Sequence, residues 1–203
     1  AIDPDDASAL SFKGQVLVGG MARETRARTS YERRDDVANY LRRALAADPD
    51  NVYALSGLGD HYKRNEWRWA DSKALLERAL ALDPNFSDAH LVYTYLLAVM
   101  GRCVEAVEHA RAVNSIDPEF GWSTLGLPRA LKCAGGEEEA NRLYLRQLGA
   151  NPNESFLIRE MYLNFLERRD IASLRALPDE VRKAIANICG MTQAALVARA
   201  SDY

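Results

Sequence analysis

Short apolar runs at helical spacing recur along this chain, and turn-forming residues separate them at regular intervals. The tripeptides Ala47-Asp48-Pro49, Leu82-Asp83-Pro84, Ile116-Asp117-Pro118 and Ala150-Asn151-Pro152 mark the intervals. Pro49 to Pro84 spans 35 residues, while Pro84 to Pro118 and Pro118 to Pro152 span 34 each. Ile2-Asp3-Pro4 is a fifth copy, 45 residues before Pro49, which is one period plus an insertion of 11. Proline cannot continue a helix but fits near the start of the next, so each tripeptide closes one helical run and opens another. Ala and Leu dominate while Val, Ile and Thr are sparse, a balance that favours helix over strand.

Within each period the pattern W-x2-L-G-x2-Y, then A-x3-F, then P can be laid on the chain. The second unit supplies Leu55, Leu58, Gly59 and Tyr62, then Ser72, Leu76 and Pro84. The third supplies His90, Tyr93, Thr94 and Leu97, then Ala106, Ala110 and Pro118. The fourth supplies Thr124, Leu127, Pro128 and Leu131, then Ala140, Tyr144 and Pro152. The first supplies Leu10, Lys13, Gly14 and Leu17, then Val37, Leu41 and Pro49, and a partial fifth holds Ile158, Met161, Tyr162 and Phe165. At these residues, over roughly 5–170, the chain resembles the tetratricopeptide repeat (TPR) family. The resemblance implies an all-α right-handed superhelical solenoid of antiparallel helix pairs. A single domain over 1–203 is expected, with repeats near 5–49, 50–84, 85–118 and 119–152 and a partial repeat over 153–177. Capping helices follow over 178–203, in particular Asp179 to Ile188 and Met191 to Ala200. Gly101 and Gly135-Gly136 fall at the turns inside units, where a left-handed conformation suits glycine. Pro128 replaces the small residue of the fourth unit and is expected to shorten or kink that helix.

Two further segments narrow the resemblance. Glu66-Trp67-Arg68-Trp69-Ala70 sits in the turn of the second unit and is read as carrying its one-residue insertion. Ser11 to Leu17, then a long polar insertion, then Val37 to Pro49 forms the opening module. Together they look like the C-terminal repeat region of bacterial winged-helix regulators of the CadC/ToxR and HilA type, or of TPR-bearing adenylate cyclases. That resemblance implies a non-catalytic protein- or peptide-binding scaffold, the regulatory TPR domain of a bacterial transcriptional regulator. The alternatives are a small-molecule sensory domain and a self-association module of a signalling enzyme. Ala1 to Asp6 lacks the basic and apolar regions of a signal peptide, so a fragment or a processed chain is expected.

Charge and cysteine content exclude several classes. The 203 residues carry a net charge of −3, and phosphate contact needs a basic face, so no nucleic acid is expected to bind this segment. No run of about 18 apolar residues exists, so no membrane insertion is expected. Cys103, Cys133 and Cys189 are odd in number and widely spaced, which favours free thiols in a reducing, cytoplasmic compartment; a periplasmic domain is the alternative. Cys103 and Cys133 both fall near the turn edge of adjacent units, so a bridge between them is the minority reading. His61, His90 and His109 have no metal-ligand spacing, and no cofactor or nucleotide motif occurs. No activated nucleophile or acid–base pair is recognisable, so no enzyme is expected.

In repeats of this kind the ligand-facing residues come from the first helix of each unit. By register the expected peptide groove contains Tyr53, Asp60, Lys63 and Arg64, then Tyr95, then Trp122, Arg129 and Lys132, then Phe156 and Arg159. Aromatic residues mixed with cations suit an extended or helical peptide with apolar anchors and some acidic character. Helical spacing alone leaves open whether Trp122 and Phe156 line a groove or pack between repeats. The carboxylate clamp of chaperone-binding members has no counterpart, because its places hold Gly57, Asp60, Val92 and Tyr95. Trp69 is expected to pack and Trp67 to be exposed. The Arg-rich stretch Arg23 to Arg34 reads as a solvated loop or the start of a longer helix.

Overall fold

A computed structural model describes residues 6–8, 10, 30–117, 123–150, 160, 163, 171–177 and 179–188. Contacts along the chain define two compact units, Ala1–Ala134 and Gly135–Tyr203. Gly14, Leu17, most of the Arg23–Arg34 stretch, Trp122, Phe156, Arg159, Cys189 and the second capping helix lie outside the described residues.

The first unit contains α1 (Ser30–Ala47), α2 (Val52–His61), a π-helical turn (Tyr62–Glu66), α3 (Trp69–Leu82), α4 (Ser87–Val99), α5 (Cys103–Ile116) and α6 (Ser123–Cys133). The second contains α7 (Glu137–Ala150), α8 (Ile171–Ala176) and α9 (Asp179–Ile188). No strand occurs among the described residues.

The aspartates of the repeating tripeptides explain why the chain breaks there. Asp48 Oδ1 accepts the amide of Asp50 at 3.1 Å, and Asp83 Oδ1 accepts that of Asn85 at 2.9 Å. A side chain that captures the amide two residues on replaces a helical bond with a turn. Asn51 then caps α2, its side chain accepting from the Ala54 amide at 3.0 Å.

The second helix of each pair buries the A-x3-F positions. Val37 and Leu41, Ser72 and Leu76, Ala106 and Ala110, and Ala140 and Tyr144 are all buried. Residues four apart lie on one helical face, so each pair forms a buried strip. Against the first of these strips pack Leu10, Ala54, Leu58 and Tyr62. Gly59 is small for a reason: a Cβ there would sit 3.1 Å from Leu76 Cγ and 3.4 Å from the Ser72 carbonyl oxygen. Ser72 Oγ donates to the Gly59 carbonyl at 2.7 Å, fastening α3 to α2 through the gap.

Gly101 and Gly135 adopt φ of +76° and +80°, as their turns require. α6 runs unbroken through the buried Pro128, so the proline does not end that helix. A proline six residues into a helix removes a bond only to the first turn, which limits its damage.

The expectation of three free thiols is corrected by the structure. Cys103 and Cys133 are joined by a disulfide, with Cα atoms 5.2 Å apart. Cys103 opens α5 and Cys133 closes α6, so packing of these two helices end to start brings the sulfurs together. In the second unit, Leu177, Val181, Ile185 and Ala186 are buried, and Arg182 Nη1 donates to the Leu177 carbonyl at 2.7 Å.

Candidate functional site

The first helices of successive pairs, α2, α4 and α6, pack side by side. Asp60 closes the buried face of α2 and is nearly inaccessible, at 5% exposure. Its Oδ1 receives Lys63 Nζ at 2.7 Å and Arg64 Nε at 2.8 Å. Burial opposes the Asp60 charge, but Lys63 and then Arg64 outweigh it and hold the carboxyl below its ordinary value. Lys63 is itself buried, and that burial pushes its ammonium below the usual lysine range despite Asp60. The pair is therefore a buried, mutually dependent one, unlike a surface ion pair.

Tyr95 on α4 sits between two cations. Lys63 Nζ lies 5.3 Å from its ring centroid and Arg129 Cζ, on α6, lies 5.7 Å away. One aromatic ring thus couples three successive repeats. Asp88, seven residues before Tyr95 on the same helix, is half-buried; burial and then the Asp60 charge raise its carboxyl above the ordinary value.

Of the residues expected to line a groove, the structure brings Asp60, Lys63, Arg64, Tyr95 and Arg129 together. Lys132 is half-buried one turn along α6 from Arg129. Tyr53 is half-exposed and makes an edge contact with Phe86, ring centroids 4.8 Å apart. Trp122, Phe156 and Arg159 fall outside the described residues.

Sequence reasoning missed a second cluster, at the end of α2. The one-residue excess of this repeat lies in the π-helical turn Tyr62–Glu66, which overlaps the Glu66–Ala70 segment only at Glu66. Tyr62 to Trp67 spans five residues, whereas Leu97 to Gly101 and Leu131 to Gly135 span four. A π-turn is the form an inserted residue takes inside a helix. Glu66 gathers the turn: its Oε1 meets Arg42 Nη2 and His61 Nε2, each at 3.2 Å, and its Oε2 meets Arg68 Nη1 at 3.2 Å. Asn65 Nδ2 lies 3.2 Å from the His61 Nδ1, so the two His61 nitrogens serve one acceptor and one donor role. Burial lowers the His61 pKa even against the raising effect of Glu66. Arg68 stacks 4.1 Å from the centroid of Tyr62. Trp67 is 73% exposed, while Trp69 is half-buried 6.2 Å away. The signal available in the sequence was the uneven spacing to the turn residue.

A third cluster joins α4 to α5. His90 Nε2 lies 2.9 Å from the Pro84 carbonyl and must donate to it. A neutral His90 therefore accepts at Nδ1, where His109 Nδ1 donates at 2.8 Å. Burial, followed by His90, lowers the His109 pKa. Tyr93 packs on His109 with centroids 4.6 Å apart and donates its hydroxyl to Glu77 at 3.0 Å. Burial and that bond push the Tyr93 phenol up to about 12. Among the described residues, no group of three or more His, Cys, Asp or Glu is placed to hold a metal ion.

No family model matches the chain, and no curated protein matches it. Solved structures do. PilF of Pseudomonas aeruginosa superposes with a TM-score of 0.71 at 18% identity, over 97% of this chain and 85% of that one. PilW, a type IV pilus biogenesis factor, gives 0.72 at 16% identity, over 96% and 86%. YrrB, a TPR protein with an unusual peptide-binding site, gives 0.61 at 13% identity, over 99% and 94%. At these identities the likeness establishes the fold, an all-α TPR solenoid.

Proposed function

We propose that this chain is a non-catalytic scaffold that holds a protein or peptide partner on the face formed by α2, α4 and α6. The observation that carries the reading is the shared Tyr95 ring, flanked by Lys63 and Arg129 from the helices on either side. Such a site combines an aromatic anchor with fixed charge, the composition of binding hot spots. The buried Asp60–Lys63 pair holds the anchor in place before any partner arrives. YrrB, of the same fold, is a peptide binder, which favours the same use of the face here.

Arg129 and Lys132, three residues apart on α6, put positive charge on one helical face for acidic residues of the peptide. A panel of fluorescent peptides, screened by polarisation, tests the reading. Arg129→Glu with Lys132→Glu should weaken an acidic peptide by more than about tenfold, the scale of one hot-spot contact. Unchanged affinity dismisses the groove.

In the finer reading the scaffold regulates an attached effector, as in winged-helix regulators; the support is the likeness of Glu66 to Ala70 and of the opening module. The Cys103–Cys133 bridge supports the periplasmic placement over the cytoplasmic one, since disulfides persist in oxidising compartments. Self-association is the competing use of the repeats, read by light scattering across a concentration series.

A further inference from the structure

We infer that the Cys103–Cys133 disulfide is a redox-exchangeable latch that fixes the last turn of α6 against α4 and α5, its reaction partner being a protein dithiol of the thiol–disulfide oxidoreductase class. The mechanical part stands on the position of the bridge. Its consequence for binding rests on the peptide-holding reading above.

The bridge sits at the extreme end of α6, at Cys133, and ties it to the first residue of α5. Upstream, α6 is held by close packing: a Cβ on Gly126 would lie 3.1 Å from Leu91 Cδ1, and Leu127, Ala130 and Leu131 are buried. At the end, Cys133 is exposed and its Sγ lies 3.8 Å from the Ala98 carbonyl on the last turn of α4. Arg129 is one helical turn before Cys133, and Ala98 is three residues after Tyr95. The covalent link therefore acts within one turn of both partners in the Arg129–Tyr95 contact.

The two sulfurs differ in a way that orders the chemistry. Cys133 is exposed, whereas Cys103 is half-buried in the first turn of α5. A helix N-terminus stabilises a thiolate, which makes Cys103 the better leaving group. A thiolate of the dithiol attacks Cys133 Sγ, and the electron pair of the S–S bond departs on Cys103. The second thiolate of the dithiol then attacks its own sulfur in the mixed disulfide and releases Cys133 as a thiolate. Both cysteines take up protons. Two electrons and two protons have moved from the dithiol, now a disulfide, to the two thiols of this chain; oxidation is the reverse.

The test uses the full chain purified without reductant. Intact mass after alkylation should show one reactive thiol before reduction and three after it; three beforehand overturn the bridge. A thioredoxin-class protein lacking its resolving cysteine should be trapped on Cys133. Trapping on Cys103, or no native-state reduction, overturns the proposed order of reaction. Hydrogen exchange then reads the latch: amides of 130–134 should exchange about tenfold faster in the reduced chain and in Cys103→Ser, with α2 and α3 unchanged. Chemical reduction of the wild-type chain guards against misfolding of the variant, and equal exchange in both states overturns the latch. An acidic peptide that binds neither state, with exchange still responding, removes the peptide reading and leaves the latch standing.

Discussion

Trp67 occupies at φ +57° the backbone conformation that Gly101 holds at +76° in the next repeat. The two are equivalent by spacing, since each lies 17 residues before the proline that ends its repeat, Pro84 and Pro118. A side chain in the left-handed region costs about 1 kcal/mol. A Cβ on Gly101 would touch nothing within 4 Å, so that cost is purely backbone. Gly101→Ala should therefore destabilise by about 1 kcal/mol in urea titration, and Trp67→Gly should leave stability unchanged or raise it by up to about 0.5 kcal/mol, the greater freedom of unfolded glycine offsetting part of the gain. A large loss in Trp67→Gly would mean that the indole contributes packing beyond its contact with Trp69.

The Asp60–Lys63 pair predicts an asymmetric response to mutation. Asp60→Asn strands a buried ammonium and should cost about 3 kcal/mol, whereas Asp60→Leu with Lys63→Met removes both charges and should cost clearly less. Chemical denaturation of the two variants checks this. The Asp60 pKa is depressed in the folded chain, so its contribution is present above the unfolded value near 3.8 and is lost as pH falls through the lower folded value. Acid titration of Asp60→Asn should lack that component.

His109 predicts a second, milder pH dependence. Its folded pKa lies below the ordinary histidine value of 6.5, so the folded chain binds fewer protons than the unfolded one just below that pH. Stability should then fall as pH drops from about 6.5 toward the folded value, because the unfolded state gains the proton first. His61 acts in the same direction, its burial outweighing Glu66. Denaturation midpoints measured between about pH 5 and 7.5 should flatten in His109→Leu. A slope retained in full would assign the effect to His61 instead.

Gly59 predicts the tightness of the α2–α3 contact. Gly59→Ala places a methyl 3.1 Å from Leu76 and 3.4 Å from the Ser72 carbonyl. Gly59→Ala should cost about 1–3 kcal/mol by overpacking, although alanine is the better helix former. A thermal melt distinguishes the outcomes: a rise in melting temperature would mean that Leu76 yields at no cost.

The fold was legible in the sequence because its determinants are periodic. Leu41, Leu76, Ala110 and Tyr144 are buried at positions that spacing alone identifies. The turn at Gly101 was equally visible, since few residues tolerate its conformation. Of the proposed groove residues, the structure sets Lys63 and Arg129 against Tyr95, and the pairing of Lys63 with Asp60 depends on burial, which periodicity does not encode. The π-turn escaped because a count between prolines reports an extra residue without saying which turn absorbs it. The Cys103–Cys133 bridge was only the minority reading because a sequence separation of 30 matches no short-range cysteine motif.

Between Tyr62 and Glu66 the helix takes in one more residue than its neighbours, and by Trp67 the count to the following proline is again the common one. The phase error is absorbed within a single turn. Ser72, Leu76 and Pro84 keep the indices of their counterparts in later repeats. An array built this way can accept a change in chain length without re-indexing anything downstream, and the added residue here brought Glu66 to where Arg42, His61 and Arg68 converge.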